Sequence, residues 1–217
     1  MRTDGMRMGL DIGSTTAKIV LLSKEGKLVH TDYRRHNAAI NETLRTMVEE
    51  AIGLLGNVPV SVAVTGSAGL GVSERHGIPF VQEVIAAAET VRKLHPEVRT
   101  LIDVGGEDST MLFFDEKMRV DIRMNGNCAG GTGAFIDQMA TLLNVPIGDL
   151  DGLAKRSGCT HKIASRCGVF AKTDVQNLIS RKIPKEEIAA SIFHAVALQT
   201  VSTLSRGCDP RARVIFC

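Results

Sequence analysis

Two short segments place an aspartate two residues before a glycine, at the end of an apolar run. Asp11 precedes Gly13, and Asp103 precedes Gly105 and Gly106. Glycine lets the backbone turn closely, so that successive N–H groups and nearby hydroxyls can face anionic oxygens. The aspartates could hold Mg²⁺ through water, because Mg²⁺ takes few carboxylates and keeps several waters. The pattern indicates two phosphate-binding turns, and ordinary hairpin turns are the alternative for either segment alone. Neither is a Walker A loop, since no Gly-Lys-Ser/Thr follows.

Two cysteines each stand just before a glycine and a predicted helix. Cys128 precedes the glycine-rich residues 130–133, and Cys167 precedes Gly168. A helix N-terminus carries about half a positive charge and free N–H donors, an environment that favours the metal-binding thiolate. A [4Fe–4S] cluster takes four thiolates, which two chains of a symmetric dimer could supply together. The alternative is that both cysteines are small buried hydrophobic residues, the usual fate of a free cysteine.

The elements around the two Asp-x-Gly turns repeat. Each turn follows an apolar strand and leads into a second strand and a further hairpin strand. This repetition predicts an α/β fold of two duplicated lobes, residues 1–96 and 97–217, with a cleft between the copies. Apolar residues at helical spacing predict helices over residues 41–55, 83–94, 133–143, 172–180 and 185–204, and β-branched runs predict strands over 60–64 and 213–217. The last strand has no turn after it, so the C-terminal end looks truncated.

The composition is typical of a soluble globular protein. Of the 217 residues, 44% are hydrophobic and 23% are charged. Aromatic residues make up 4% and there is no polybasic tract, so nucleic acid is not an expected partner. No signal peptide and no run of about 18 apolar residues is visible, so we expect no membrane partner and a cytoplasmic location. Five cysteines, an odd number, favour free thiols or metal ligands over disulfides.

The motifs resemble two groups of known proteins. Both Asp-x-Gly segments are similar to the phosphate loops of the acetate/sugar kinase, actin and heat-shock chaperone ATPase superfamily. That resemblance implies two ribonuclease H-like lobes with ATP and Mg²⁺ in a nucleotide cleft between them. Cys-Ala-Gly-Gly-Thr-Gly-Ala-Phe at residues 128–135 and Cys-Gly-Val-Phe-Ala-Lys-Thr-Asp at 167–174 resemble the activators of 2-hydroxyacyl-CoA dehydratases and the ATPase subunits of benzoyl-CoA reductases. This likeness covers nearly the whole chain.

The activator resemblance implies a role for each motif. Cys128 and Cys167 are then the ligands of one [4Fe–4S] cluster that bridges a homodimer. The activator would accept an electron from a ferredoxin- or flavodoxin-like donor, hydrolyse ATP to ADP, and pass the electron at low potential to a dehydratase or reductase component. Asp11, Asp103 and Glu107 would be catalytic, with the two aspartates also holding Mg²⁺ through water. The other residues implied to bind the nucleotide are Gly13, Ser14, Thr15, Thr16, Lys18, Gly105, Gly106, Gly130, Gly131, Thr132 and Gly133.

Three departures from the activator pattern stand out. Glu107 occupies a position where many activators carry glutamine. Residues 123–127 and 166–168 are most similar to long multi-domain relatives, which indicates a piece of such a protein. The adenine-side Gly-Gly turn and the closing helix of the family would follow residue 217.

Two other functions remain open at this point. One is a small-molecule kinase of the same fold, with Asp103 or Glu107 as the base. The other is a non-catalytic nucleotide-binding module of a larger protein.

Several other residues have simpler interpretations. Cys159 is interpreted as a loop thiol beside an exposed His161, and the alternatives are a third cluster ligand or a metal site with His161. Cys208 and Cys217 lie near apolar segments and are predicted to be packing residues. Residues 34–36, Arg-Arg-His, are predicted to form a solvated turn.

Overall fold

The computed structural model describes residues 5–55, 58–125, 130–165, 167–210 and 212–217. Cys128 therefore lies outside the described residues. The chain divides into two compact units, Met1–Thr90 and Val91–Cys217. Each unit has one four-stranded sheet together with helices, so the predicted α/β class is confirmed.

The first unit is built on a mixed sheet. Its strands lie in the order β3-β2-β1-β4, in which β1 pairs with β2 antiparallel and with β4 parallel. The strands are β1 (Met6–Ile12), β2 (Thr16–Leu22), β3 (Leu28–Arg35) and β4 (Val60–Thr65). The helices are α1 (Ile40–Leu55), α2 (Gly69–His76) and α3 (Glu83–Leu94), the last of which continues past Thr90 into the second unit.

The core of the first unit forms between the sheet and α1. Alternate residues of β1 are buried, as the two-residue repeat of a strand requires. Helix α1 contributes buried residues at three- and four-residue spacing, which is the repeat of one helical face. The buried residues of these two elements are Met8, Leu10, Ile12, Leu44, Met47, Ala51 and Leu55.

The second unit repeats the sheet of the first. Its strands lie in the order β7-β6-β5-β8, with the β5–β6 and β6–β7 pairs antiparallel and the β5–β8 pair parallel. The strands are β5 (Thr100–Val104), β6 (Ser109–Phe114), β7 (Val120–Asn125) and β8 (Val214–Phe216). The helices are α4 (Gly133–Leu142), α5 (Ile147–Lys155), α6 (Gly168–Ser180) and α7 (Lys185–Leu204). The shared strand order confirms the predicted duplication.

Helix α7 is the central helix of the second unit. By length and composition its 20 residues could cross a membrane, but half of its apolar stretch is buried inside the protein. Its buried residues join those of α4, α5 and α6 in one hydrophobic cluster. A helix that is apolar on most of its faces is typical of such a core position.

Candidate functional site

The carboxylate of Asp11 lies at the end of β1, opposite Lys18 in the β1–β2 register. The Lys18 ammonium donates to Oδ2 of Asp11 at 2.7 Å. Oδ1 of Asp11 is buried and has no hydrogen-bond partner among the described residues, and the same is true of Oγ1 of Thr65. Thr65 is the register partner of Asp11 on β4. Buried polar oxygens normally have a partner, and a carboxylate beside a hydroxyl is a donor set that fits hydrated Mg²⁺.

Gly66 fixes the space around the Asp11 carboxylate. Its φ is +92°, and a Cβ built on it would lie 2.5 Å from Oδ1 of Asp11 and 2.4 Å from the carbonyl oxygen of Ile12. The next turn of chain also contacts this segment, because the N–H of Ala68 donates to the Ile12 carbonyl at 2.9 Å. A side chain at position 66 would displace the carboxylate or the backbone, so this position requires glycine.

His36 positions the first Asp-x-Gly turn. Its side chain is only 3% exposed, so the predicted solvated turn is wrong at this residue. Nδ1 accepts the N–H of Ala38 at 3.2 Å, which leaves Nε2 to donate to the Gly13 carbonyl at 3.1 Å. The backbone N–H of His36 donates to the Thr15 carbonyl at 3.2 Å. His36 therefore holds the turn at two points, with its ring at Gly13 and with its backbone at Thr15, while the Ala38 N–H orients the ring.

The second Asp-x-Gly turn contacts the start of α4. The N–H groups of Gly133 and Ala134 donate to the carbonyls of Gly105 and Gly106, each at 2.8 Å. The sequence led us to expect free N–H donors at the start of this helix. These two N–H groups are instead hydrogen-bonded to the turn. The predicted phosphate-binding residues 105–106 therefore lie against the glycine-rich residues that end at Gly133.

The glycine-rich residues also contact the start of α6. A Cβ built on Gly130 would lie 2.8 Å from the backbone nitrogen of Gly168 and 3.0 Å from Oε1 of Gln199. The hydroxyl of Ser109 donates to the Gly131 carbonyl at 2.6 Å. Gly130 follows Cys128 by two residues and Gly168 follows Cys167 directly, so the structure brings together residues that neighbour both predicted cluster ligands.

Cys167 is the residue that caps the N-terminus of α6. It is half-buried and has an extended backbone, with φ −136° and ψ 118°. Its carbonyl accepts the N–H of Ala171 at 2.9 Å, the first hydrogen bond of the helix. The thiol therefore sits where the sequence predicted it, beside the positive end of a helix dipole.

The two Asp-x-Gly turns differ in their charges. Across the hairpin, Asp11 faces Lys18, whereas Asp103 faces Thr110 in the equivalent register. Glu107 is exposed on the second turn. The second turn therefore has threonine at the position where the first turn has Lys18.

Two predictions about the remaining cysteines are wrong. Cys208 and Cys217 are exposed rather than packed in the core, because Cys208 follows the end of α7 and Cys217 follows the edge strand β8. Cys159 is exposed as predicted. His161, however, is half-buried, with Nε2 2.7 Å from Oε2 of Glu187.

The duplicated four-stranded sheets, each with an Asp-x-Gly turn after its first strand, define an α/β ATPase of the actin-like fold with two ribonuclease H-like lobes. This is the fold class that the sequence predicts. The chain belongs to the BadF/BadG/BcrA/BcrD ATPase family, whose sequence model matches residues 8–217. The family resemblance inferred from the two cysteine motifs is confirmed.

The chain is similar to activators of 2-hydroxyacyl-CoA dehydratases. The 2-hydroxyisocaproyl-CoA dehydratase activator of Clostridioides difficile is 32% identical over 92% of this chain and 75% of its own length. The crystal structure of component A of (R)-2-hydroxyglutaryl-CoA dehydratase from Acidaminococcus fermentans matches with a TM-score of 0.87, at 26% identity, over 98% of this chain and 82% of its own. The activator of the 2-hydroxyisocaproyl-CoA dehydratase from Clostridium difficile with bound ADPNP matches with a TM-score of 0.82, at 30% identity, over 97% and 79% of the two chains. The ATPase family and the relative with bound ADPNP support nucleotide binding by this chain.

Proposed function

We propose that this protein is a cytoplasmic ATP-dependent activator that passes an electron at low potential to a 2-hydroxyacyl-CoA dehydratase or related reductase. In this proposal two copies share one [4Fe–4S] cluster and receive the electron from a ferredoxin- or flavodoxin-like donor. The dehydratase activators among its relatives support the partner class. The support from this chain itself is a continuous set of backbone contacts between the second Asp-x-Gly turn and Cys167.

Those contacts form three steps within the second unit. Gly105 and Gly106 accept hydrogen bonds from the first residues of α4. The glycine-rich residues before α4 then contact Gly168 through Gly130, and Gly168 follows Cys167. Packed backbone has little freedom to deform locally, so a shift of the turn on loss of the γ-phosphate would move the start of α6. These contacts are the main support for the proposed coupling of ATP hydrolysis to electron transfer.

The proposed nucleotide contacts follow the two turns. Asp11 and Asp103 would hold Mg²⁺ through water, and Glu107 would orient the attacking water. A bound Mg²⁺ supplies positive charge that stabilises the transferred phosphoryl group. In the first turn, His36 holds the carbonyls of Gly13 and Thr15 in place. The further residues proposed to contact phosphate or nucleotide are Gly13, Ser14, Thr15, Thr16, Lys18, Gly105, Gly106, Gly130, Gly131, Thr132 and Gly133.

The proposed cluster ligands are Cys167 and Cys128 of each copy. A cluster held there would supply a one-electron redox centre. The residues next to Cys167 fit a shared site, because Val169 and Phe170 on the first turn of α6 are 73% and 67% exposed. Large apolar side chains exposed side by side are typical of a surface that another protein covers. A second copy, related by a two-fold axis, would cover them and bring the two pairs of thiolates together.

Anaerobic purification with iron and sulfide analysis tests this function. We expect about two iron atoms per chain, which is one [4Fe–4S] cluster per dimer, together with ATP hydrolysis. Cys167→Ser should abolish iron binding, and Cys208→Ser, which changes an exposed thiol elsewhere, should not. A colourless dimer that hydrolyses ATP and phosphorylates a small acceptor would refute the proposal and support a kinase instead. If iron is present, its midpoint potential should differ between an ATP analogue and ADP.

A further inference from the structure

We propose that Cys159, His161 and Glu187 form a binding site for a divalent transition metal ion of the Zn²⁺ class. Nε2 of His161 lies 2.7 Å from Oε2 of Glu187. The sulfur of Cys159 completes a group whose ligand atoms all lie within 4.8 Å of one another. The proposal is independent of the proposed cluster at Cys128 and Cys167, since it uses other side chains.

The backbone around this group, defined here as the Cys159–His161–Glu187 group, is held by two serines. Ser191 is buried on α7, accepts the N–H of His161 at 2.7 Å, and donates to the Glu187 carbonyl at 2.6 Å. Ser157 accepts the N–H of Cys159 at 3.1 Å and donates to the Cys159 carbonyl at 2.8 Å. The imidazole end of the short loop is therefore fixed to the helix that carries the carboxylate, and the thiol end is ordered by a local turn. Supporting hydrogen bonds of this kind orient metal ligands.

The spacing of the three ligand atoms needs only a small adjustment. Zn–N and Zn–O bonds are about 2.0–2.2 Å and Zn–S bonds about 2.3 Å, so tetrahedral coordination separates N from O by about 3.4 Å and S from either by about 3.6 Å. The His161–Glu187 pair would open by about 0.7 Å, and the sulfur would approach by about 1.2 Å at most. Cys159 is exposed on a loop, and a rotation of its side chain is enough to cover that distance. The metal would take the place of the proton shared by His161 and Glu187.

The chemistry of the donor set selects the class of ion. Thiolate sulfur and imidazole nitrogen favour Zn²⁺, Co²⁺ and similar ions over Mg²⁺ and Ca²⁺, which prefer oxygen ligands. Three protein ligands at a half-buried site leave a fourth position for water. The His161–Glu187 contact on its own would be an ordinary hydrogen bond near the start of α7, where a carboxylate is favoured by the helix dipole. A bound metal ion would in addition account for the Cys159 thiol beside this pair.

Such an ion would fasten the loop to α7. The loop runs on towards Cys167, which follows His161 by six residues in the sequence. Between them, the N–H of Ala164 donates to Asp174 of α6 at 2.8 Å. A bound ion would therefore stabilise the segment that leads into the start of α6, and binding to the folded state alone would raise the melting temperature.

Zinc and cobalt binding to the full chain test the site. The Cys167→Ser variant is used for cobalt, because it removes one of the proposed cluster ligands and with it the competing visible absorption. We expect about one Co²⁺ per chain, with the strong near-ultraviolet band of a thiolate–cobalt bond and the visible bands of a tetrahedral ion. Cys159→Ser should abolish the thiolate band, and His161→Gln or Glu187→Gln should weaken Zn²⁺ binding by at least about tenfold.

Two controls separate this site from the proposed cluster. Cys208→Ser changes another exposed thiol and should leave zinc binding unchanged. Zinc should persist in Cys167→Ser protein, and iron should persist in Cys159→Ser protein, if iron is present at all. Ser191→Ala, which removes only the support of His161 and Glu187, should weaken zinc binding without removing a ligand. Zinc retention equal in wild-type and Cys159→Ser protein, or cobalt bound without a thiolate band, would overturn the proposal.

Discussion

The backbones of Gly130 and Gly168 are in direct contact. A Cβ on Gly130 would lie 2.8 Å from the nitrogen of Gly168, and a Cβ on Gly168 would lie 3.4 Å from Cα of Gly130. A side chain at position 130 would therefore separate the glycine-rich residues from the start of α6. The pair of glycines therefore sets how close the residues that neighbour the two proposed cluster ligands can come.

Gly130→Ala should separate these segments and destabilise the second unit. We expect a loss of about 1–3 kcal/mol in the free energy of unfolding, the usual cost of overpacking a tight contact, together with a loss of bound iron. Gly168→Ala should be tolerated much better, because its Cβ would lie at an ordinary van der Waals distance, 3.4 Å from Cα of Gly130. Urea unfolding and iron analysis of anaerobically purified protein measure both effects.

Gly148→Ala is the matched control for this pair. A Cβ at position 148 would meet no atom within 4 Å, and the residue lies in α5. Replacing a helical glycine by alanine should stabilise the protein by up to about 1 kcal/mol. Equal unfolding curves for Gly130→Ala and Gly148→Ala would show that the Gly130–Gly168 contact is not tight.

His36→Ala should damage the first Asp-x-Gly turn. It removes the donor to the Gly13 carbonyl and the acceptor of the Ala38 N–H, and an unsatisfied buried polar group costs about 1–3 kcal/mol. We expect KM for ATP to rise more than kcat falls, because the turn binds phosphate rather than reacting. His36→Gln can restore the donor and should recover part of the affinity.

The exposed His76 of α2 is the control histidine in the same unit. His76→Ala should leave steady-state ATPase kinetics and urea unfolding unchanged. The proposed role of His36 would be wrong if His36→Ala unfolded at a lower urea concentration while its KM for ATP stayed at the wild-type value.

The sequence predicted the parts of the fold that local patterns determine. Helices α3 and α7 begin and end where their periodicity does, because Pro96 follows one and Pro184 precedes the other. The duplicated strands were predictable because in each unit the first two strands flank an Asp-x-Gly turn. Helices α2 and α5 were not predicted, since each is short and contains two glycines, which lowers its helical signal.

The site residues that were missed depend on contacts between distant segments. His36 looked like part of a charged turn, and only the packing of β3 against the first Asp-x-Gly turn buries it. Gly66 ends a predicted strand, but the closeness of its Cα to Asp11 comes from the parallel pairing of β1 with β4. Gln199 was one polar residue in an apolar helix, and it meets Gly130 only in the folded unit. Such contacts leave no pattern in a single sequence.

Arg123 should stabilise the second unit by holding the end of α7. Its guanidinium donates to the carbonyls of Leu204 and Ser205 and lies 4.9 Å above the ring of Phe113. Hydrogen bonds to Asp121 and to the Cys208 thiol raise the pKa of Arg123 above its ordinary value, so the guanidinium stays charged. Arg123→Ala should lower the urea midpoint clearly, and Arg123→Lys should recover only part of it, because lysine lacks the planar fork.

Arg119→Ala tests the same β-hairpin without the contact to α7. Arg119 pairs with Asp115 at 2.7 Å and is 78% exposed, so its removal should barely change the urea midpoint. If the two alanine variants unfolded at the same urea concentration, the contact with the end of α7 would contribute nothing.

The pair of Asp11 and Lys18 should matter for ATP hydrolysis far more than for stability. The two side chains are 23% and 44% exposed, and an ion pair in such a position stabilises a protein by about 1 kcal/mol at most. Asp11→Asn should therefore unfold close to wild type while its ATPase rate falls by about 100-fold or more, since several kcal/mol of charge stabilisation by Mg²⁺ depend on the carboxylate. Lys18→Ala should unfold almost normally and shift the Mg²⁺ concentration needed for half-maximal activity.

Lys155→Ala, which breaks an exposed pair with Asp151 at 2.7 Å, separates this effect from the general loss of an ion pair. Its ATPase rate and Mg²⁺ dependence should equal those of the wild type. One oxygen of the Asp11 carboxylate accepts from Lys18, and the other is buried without a partner among the described residues. Removing the charge of this carboxylate should therefore weaken the binding of hydrated Mg²⁺. Full ATPase activity in Asp11→Asn at saturating Mg²⁺ would exclude this carboxylate from the metal site and leave the buried oxygen to be explained by protein packing alone.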